Sequence, residues 1–595
     1  MAEYRAPVKD MRFVLDTVAD IDGLSKLEGF AHVESDVVDA ILEEASKFAG
    51  NVLSPLNKPG DNEGSRVADG VVTTPKGWTE AYQQFVEGGW NGVSAPEAFD
   101  GGSLPQALTL ATVEMWNSAN LAFSLCPLLT QGAIESILAH GTSAQQKTYL
   151  KKLVSGEWSA TMNLTESQAG SDVGALRSKA EPAEDGSWRI SGQKIFITYG
   201  EHEMAENIIH LVLARTPDSP AGTKGISLFL VPKFLPDENG NPGKRNGVKA
   251  IGLEHKMGIH GSPTCTMEYA NATGWLIGEE NRGMAAMFTM MNSARLNVGV
   301  QGVGIAERAY QQAFEFAKER RQGRAPGGEG PAPHAIIDHP DVRRTLGLMK
   351  AKIEAARAIC FHAAVEGDLA EHHGDEKEAA WSRRREELLI PVAKAWSTDL
   401  GVEIASLGVQ IHGGMGFIEE TGAAQHYRDA RIAPIYEGTN GIQAIDLSGR
   451  KLSMEGGLAF AELIEDIRQT VEDCETSSNP ALPELAARLK PAADALEEAT
   501  GWMISAGMED RLAGSTAFLK LTGDVTGGWL LCVGAVAAQR RLKEAEGDAA
   551  FSENRIALAG IYAETVLAAA PGLLGEIRMG AAPLFEPGLA MLESA

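Results

Sequence analysis

The sequence predicts a mainly α protein with a central β domain and an additional C-terminal helical domain. Three observations predict it. Apolar residues recur three and four apart through the first part of the chain, give way to short β-branched and aromatic runs between about 161 and 280, and resume helical spacing at Met284. At 595 residues the chain also exceeds what one hydrophobic core serves. The expected units are an N-terminal extension (1–37), an N-terminal helical domain (38–160), the β domain (161–280), a helical bundle (281–452) and the added helical domain (453–595).

The extension mixes apolar and acidic positions without a strong element and reads as a segment packed on something else. Helical spacing in the next domain is carried by Val37-Val38-Asp39-Ala40-Ile41-Leu42 and by Leu108 to Leu129, with Pro96, Gly101, Gly102 and Pro105 marking a loop. Strands are expected at Trp188-Arg189-Ile190, Lys194 to Thr198, Ile208 to Ala214 and Ile226 to Val231, runs separated by Gly, Asp, Ser and Pro. From Met284 to Leu452 the spacing is helical again, apart from a loop at Arg324 to Pro331. Within it, Gly299-Val300-Gln301-Gly302-Val303-Gly304 follows no strand and reads as helix–helix packing rather than a dinucleotide fingerprint. Ser477-Ser478-Asn479-Pro480 breaks the tail, whose Ala- and Leu-rich remainder is long enough for a helical unit.

A net charge of −27 repels phosphate backbones, and the one basic block, Arg383-Arg384-Arg385, is followed at once by Glu386 and Glu387, so nucleic acid is not expected as a partner. No apolar run reaches the roughly 18 residues of a membrane span, Gly527 to Ala538 coming nearest, and the opening residues lack the layout of a signal peptide. A cytoplasmic location is the expectation. The five cysteines, Cys126, Cys265, Cys360, Cys474 and Cys532, form no Cys-x-x-Cys and read as buried thiols. His334 and His339, or His372 and His373, lack the spacing of a helical zinc site, and no metal is expected. Cys360 and His362 read as packing residues rather than a nucleophile pair.

Two runs carry chemistry. One joins Gln410-Ile411-His412-Gly413-Gly414-Met415-Gly416 to Tyr427-Arg428-Asp429-Ala430-Arg431 and Ile435-Tyr436-Glu437-Gly438-Thr439-Asn440. A carboxylate followed at once by Gly can present its oxygens to a ligand that approaches the backbone closely, as a general base must. The other is Met162-Asn163-Leu164-Thr165-Glu166-Ser167-Gln168-Ala169-Gly170-Ser171-Asp172, followed by Gly192-Gln193-Lys194-Ile195-Phe196-Ile197-Thr198. These runs resemble the C-terminal signature and the flavin-cradling segment of the flavin-dependent acyl-CoA dehydrogenases. The resemblance covers about residues 38–450, and the extension and the tail resemble the long-form branch of that family.

The resemblance implies FAD as cofactor, an acyl-CoA thioester as substrate, dehydrogenation to the trans-2-enoyl-CoA, an electron-transfer flavoprotein as electron acceptor and a homodimer. Glu437 matches the base that takes the α proton while the β hydrogen leaves as hydride to flavin N5; the family's other base position falls on Ala294, before Arg295. The Glu437 N–H and a flavin ribityl hydroxyl would polarise the thioester carbonyl. Met162, Leu164, Thr165, Phe196, Ile197 and Thr198 match the flavin segment, with Leu164 and Thr165 at the pyrimidine edge, Thr198 near N5 and Phe196 over the ring where many relatives have Trp. Ser171 matches a position near the pyrophosphate and the pantetheine arm. Arg320, Gln410, Gly413 and Gly414 match the half-site offered to a neighbouring subunit's flavin, where a guanidinium fork suits a diphosphate. Thr439 joins the cofactor set; Asn292, Arg295, Tyr436 and Gly438 join the substrate set. Arg321-Gln322-Gly323-Arg324 departs from the common Arg-Lys-Thr-Phe-Gly continuation, and Gly441 stands where a Gln is common.

Plainer readings stay open for Thr198 as a strand residue, Thr165 as a helix cap, and Asn292 and Arg295 as helix surface. Within the family, the opening to Leu15 and the Arg-Gln-Gly-Arg run most resemble the branch acting on 3-methylmercaptopropionyl-CoA in dimethylsulfoniopropionate demethylation. Tyr436, Leu125, Leu128 and Leu129 are the candidate walls of a short acyl pocket. Competing expectations are a straight-chain fatty acyl-CoA dehydrogenase, an acyl-CoA oxidase, and a flavin-binding scaffold or DNA-associated relative, the last opposed by the acidity and by Glu437.

Overall fold

The computed structural model describes residues 3–328 and 330–593. They form two compact units, one from 45–104 and 115–297, the other from the residues up to 44, 105–114 and those from 298 on.

The first unit is built on a seven-stranded sheet: β1 Trp158–Asn163, β2 Lys179–Pro182, β3 Trp188–Thr198, β4 Asn207–Ala214, β5 Ser227–Pro232, β6 Val248–Leu253 and β7 Thr264–Ile277. The strand order is β1-β4-β5-β7-β3-β2, with β6 beside β7. β1 and β4 run parallel, Met162 opposite Leu211, and the other pairs are antiparallel. The 14-residue β7 pairs with β3 and β6 along its first part and with β5 through Trp275, Leu276 and Ile277, bending between them at bulges near Cys265 and Tyr269. On one face Tyr149, Leu150 and Leu153 of the helix Ser143–Ser155 pack with Trp158, Leu211 and Leu230; another cluster gathers Val212, Phe229, Val231, Met267 and Tyr269.

Several expectations change here. The runs at Trp188 and Lys194 are one strand, because Gly192 and Gln193 stay in the ladder opposite Tyr269 and Glu268. β1 is buried along its whole length, as β4 and β5 are, but its Trp-Ser-Ala-Thr-Met-Asn lacks the continuous apolar run that marks those two. A two-stranded hairpin, Arg66–Ala68 with Val71–Thr73, interrupts a region expected to be helical.

In the second unit the extension does hold an element: the helix Val8–Thr17 buries Met11, Phe13, Val14 and Leu15. The helices Pro340–His372 and Glu376–His412 form a long hairpin against which Gly299 and Gly302 of the helix Gly283–Glu319 are seated. A Cβ at Gly299 would lie 2.7 Å from the Ala393 carbonyl oxygen, and one at Gly302 2.2 Å from that of Ser397, so helix–helix packing is what these glycines serve. Backbone cannot yield as a side chain does. We expect Gly302→Ala to cost about 2–3 kcal/mol in urea unfolding. A variant within about 0.5 kcal/mol of the parent, the range of an ordinary surface change, would remove this packing argument.

The helices Leu458–Glu475 and Ala481–Ser505 flank the expected break at 477–480, and Met508–Glu544 and Ala549–Tyr562 follow. Two residues of the basic block are spent on this tail, Arg384 pairing with Glu462 at 2.6 Å and Arg385 with Asp466 at 2.7 Å, while Arg383 donates to the Ala370 carbonyl. Deeper in the unit, Arg357 is fully buried and pairs with Glu114 (2.6 Å), Glu354 (2.8 Å) and Glu307 (3.1 Å). Lys350 and Arg555 extend this cluster to Asp10 in the N-terminal helix. All five cysteines are buried free thiols. Where no run was expected to be long enough, three helices among the described residues, Gln106–His140, Met508–Glu544 and Ala549–Ile577, are long and apolar enough by length and composition to cross a membrane; 83% of the apolar window is buried in each of the first two and 39% in the third.

Candidate active site

The flavin-like segment begins where β1 ends at Met162 and Asn163 and the chain leaves the sheet through Leu164 and Thr165. A buried ion pair fixes it. Lys194, on β3, donates to Glu166 Oε1 at 2.8 Å and to the Leu164 carbonyl at 3.0 Å, while the Ile195 N–H donates to the Thr165 carbonyl at 2.9 Å. Burial alone would raise the Glu166 carboxyl, but the Lys194 ammonium and the donors of Ser178 and Arg177 hold it down at about 2. The segment is therefore set before any ligand arrives. Thr165 is neither in a helix nor at a helix cap, and Thr198 closes β3 with its carbonyl accepting from Thr161 Oγ1 at 2.7 Å.

Phe196 stands on this strand with φ +61° and 58% of its surface exposed, while its neighbour Ile197 is buried. A non-glycine residue in the left-handed region signals a conformation held for a purpose. Among the described residues, the hydroxyls of Thr165, Ser171 and Thr198 make no hydrogen bond to the rest of the chain. An exposed aromatic ring beside unspent hydroxyls fits a planar heteroaromatic ligand with polar edges, such as FAD. Asn292 is half-buried; Arg295 is buried, with its guanidinium 6.0 Å from the Phe288 ring centre, so the surface reading of Arg295 is withdrawn. Leu125, Leu128 and Leu129 are buried in the helix Gln106–His140.

The candidate base belongs to the other unit. Glu437 has φ +55° and Gly438 φ +84°, so two successive left-handed residues make the turn that carries the carboxylate. The neighbours over-determine it. The Asn440 N–H donates to the Pro434 carbonyl at 3.0 Å, Thr439 Oγ1 caps the helix Asn440–Asp446 by accepting from the Ile442 N–H, and Gln443 Nε2 donates to the Gly438 carbonyl at 3.3 Å. Asn440 is itself locked: its Oδ1 accepts from Lys394 Nζ at 2.8 Å, and its Nδ2 donates to Asp399 and to the Ala395 carbonyl. Tyr436 donates its phenol proton to Gln301 Oε1, and burial, reinforced by the charge of Glu437, pushes that phenol up so that it stays neutral. Reasoning from sequence missed Lys194, Lys394, Gln301 and Gln443 as supports. The signal for Lys394 was a lone lysine amid apolar helix residues; it is fully buried.

Arg320, Gln410, Gly413 and Gly414 are all exposed. Gly413 takes φ +58°, and a Cβ at either glycine would meet no atom within 4 Å. Beside them Phe417 is 85% exposed. In the helix Pro340–His372 Cys360 is buried and His362 half-buried, burial pushing the thiol up to about 12 and the imidazole down to about 3, which agrees with packing roles for both. Among the described residues no group of three or more His, Cys, Asp or Glu is placed to hold a metal ion.

Known proteins bear on this arrangement. Residues 35–157, 161–272 and 281–452 match the N-terminal, middle and C-terminal domain models of the acyl-CoA dehydrogenases, and 463–587 match a model described as acetyl-CoA dehydrogenase C-terminal like. Over 567 residues the chain is 48% identical to the 3-methylmercaptopropionyl-CoA dehydrogenase of Ruegeria pomeroyi, covering 95% of this chain and 96% of that one. It is 34% identical to a butyryl-CoA dehydrogenase of Syntrophomonas wolfei over 97% of this chain and 96% of the relative. Among solved structures, an acyl-CoA dehydrogenase of Bacillus anthracis complexed with FAD superposes with a TM-score of 0.74 at 20% identity, over 94% of this chain and 89% of the other.

Proposed function

The chain belongs to the acyl-CoA dehydrogenase family, and we propose that its substrate is a short acyl-CoA, 3-methylmercaptopropionyl-CoA, oxidised to 3-methylthioacryloyl-CoA in dimethylsulfoniopropionate demethylation. The reaction class is the family's: FAD-dependent α,β-dehydrogenation of an acyl-CoA thioester. When bound, FAD supplies the acceptor for the β hydrogen and its electron pair.

In this reading the Glu437 carboxylate takes the α proton. The observation that carries the assignment is its left-handed turn, held by Asn440, Thr439 and Gln443, since a base acts efficiently only when its geometry is fixed before the substrate arrives. The Glu437 N–H polarises the thioester carbonyl, and Tyr436 and Gly438 flank the acyl group. Met162, Leu164, Thr165, Ser171, Phe196, Ile197 and Thr198 hold the flavin, with Thr439 on the cofactor side; Asn292, Arg295 and Ser171 serve the CoA portion. Support for the substrate comes from the bulk of Tyr436 beside the base and from the relative that shares 48% identity.

The proposal includes a homodimer in which Arg320, Gln410, Gly413 and Gly414 serve the partner's flavin, supported by their exposure and by that of Phe417. It includes an electron-transfer flavoprotein as acceptor. It also places the protein in the cytoplasm, a reducing compartment that suits five free thiols.

The test is anaerobic flavin bleaching and kcat/KM across 3-methylthiopropionyl-, butyryl-, valeryl- and palmitoyl-CoA. Each buried CH₂ contributes roughly 0.8 kcal/mol, so neighbours in the series should differ modestly. We expect the maximum at the thioether substrate, with palmitoyl-CoA poor. A maximum at twelve carbons or longer overturns the substrate and leaves the reaction class standing.

A further inference from the structure

One polar group close to the candidate base has no use within the chain. Gln301 is fully buried; its Oε1 accepts the Tyr436 phenol proton, but its Nε2 has no hydrogen-bond partner. A buried amide N–H without an acceptor destabilises the fold, and its persistence in a native structure asks for an explanation. The phenol that occupies the other end of the amide belongs to the residue next to Glu437, so this unspent donor is one side chain removed from the base.

Resting on the substrate class proposed above, we propose that Gln301 is a specificity-determining residue, its free amide N–H receiving a heteroatom at the γ position of the acyl chain. In 3-methylthiopropionyl-CoA that atom is the thioether sulfur, a weak acceptor. In valeryl-CoA, of the same chain length, it is a methylene and accepts nothing. A site with an unpaired donor discriminates against the analogue that cannot satisfy it.

The experiment compares kcat/KM for 3-methylthiopropionyl-CoA and valeryl-CoA in the holoenzyme and in Gln301→Leu and Gln301→Glu, at matched FAD content. Leu removes both ends of the amide; Glu keeps an acceptor for Tyr436 but has no N–H, so it serves even if the Leu variant does not fold. The parent ratio should favour the thioether by about five-fold and fall to near one in both variants, the scale of one modest hydrogen bond. A role of Gln301 in folding alone would move both substrates together and leave the ratio in place, and that outcome sinks the inference. So does a parent ratio near one. If the parent instead prefers chains of twelve carbons or more, the substrate reading itself has failed; an unchanged ratio in an enzyme that still favours short chains fails Gln301 alone.

Discussion

Glu437→Gln is expected to yield a folded holoprotein, with FAD bound as in the parent, whose flavin is not bleached by any acyl-CoA. The substitution conserves volume and tolerates the same left-handed backbone at φ +55°, so the turn and its hydrogen bonds to Asn440 and Gln443 survive. An amide cannot accept the α proton at neutral pH. The loss should be about a thousand-fold in the rate of flavin reduction, within the range that positioned acid–base groups contribute. Glu437→Asp provides the companion measurement: it keeps the carboxylate but withdraws it by one methylene, and a displacement of about 1 Å costs on the order of a hundred-fold. Stopped-flow reduction of the Gln variant at near the parent rate would show that another group takes the proton.

Arg357→Met is the second large effect, this time on stability. The guanidinium has no exposed surface and faces three carboxylates that are themselves almost wholly buried, Glu114, Glu307 and Glu354. Its removal leaves buried negative charge, which costs about 3–5 kcal/mol. Lys350 and Arg555 still serve Glu354, so the exposed deficit falls mainly on Glu114. Burial already raises the Glu114 carboxyl above its ordinary 4.5 even with Arg357 beside it, and without Arg357 it rises further. A carboxyl whose folded pKa is raised contributes stability below its unfolded pKa and loses it as pH climbs through the folded value. The variant should therefore be relatively most stable in acid and deteriorate toward neutral pH, and Glu114→Gln in the same chain should recover part of the loss. Urea midpoints measured at several pH values decide it; a variant with the parent's midpoint throughout would mean the cluster does not hold the fold together.

The N-terminal helix shows why such effects escape a linear reading. Val8–Thr17 carries helical spacing in Met11, Val14 and Leu15, but nothing local says that its Asp10 joins Lys350 and Arg555, which lie hundreds of residues away in sequence. β1 escaped for a different reason. The equally buried β4 and β5 announce themselves by continuous apolar runs, whereas Trp-Ser-Ala-Thr-Met-Asn of β1 has neither such a run nor an alternation. The base loop was legible as chemistry, through Tyr436-Glu437-Gly438-Thr439, but not as geometry: nothing local to Glu437 requires φ +55°.

Period and composition, which are local properties, were enough to determine the helical, β, helical order, the helical tail with its break near Asn479, and the packing role of Gly299 and Gly302; two short runs of residues were enough for the family. Tertiary structure alone decided which charges are buried together, that Arg385 and Lys394 are structural cations, that Lys194 and Glu166 brace the flavin segment, and that Gln301 keeps a donor in reserve beside Tyr436. The physical reason is range. Backbone propensity acts over a few neighbours, whereas desolvation and pairing depend on what the fold brings within about 4 Å from anywhere in the chain.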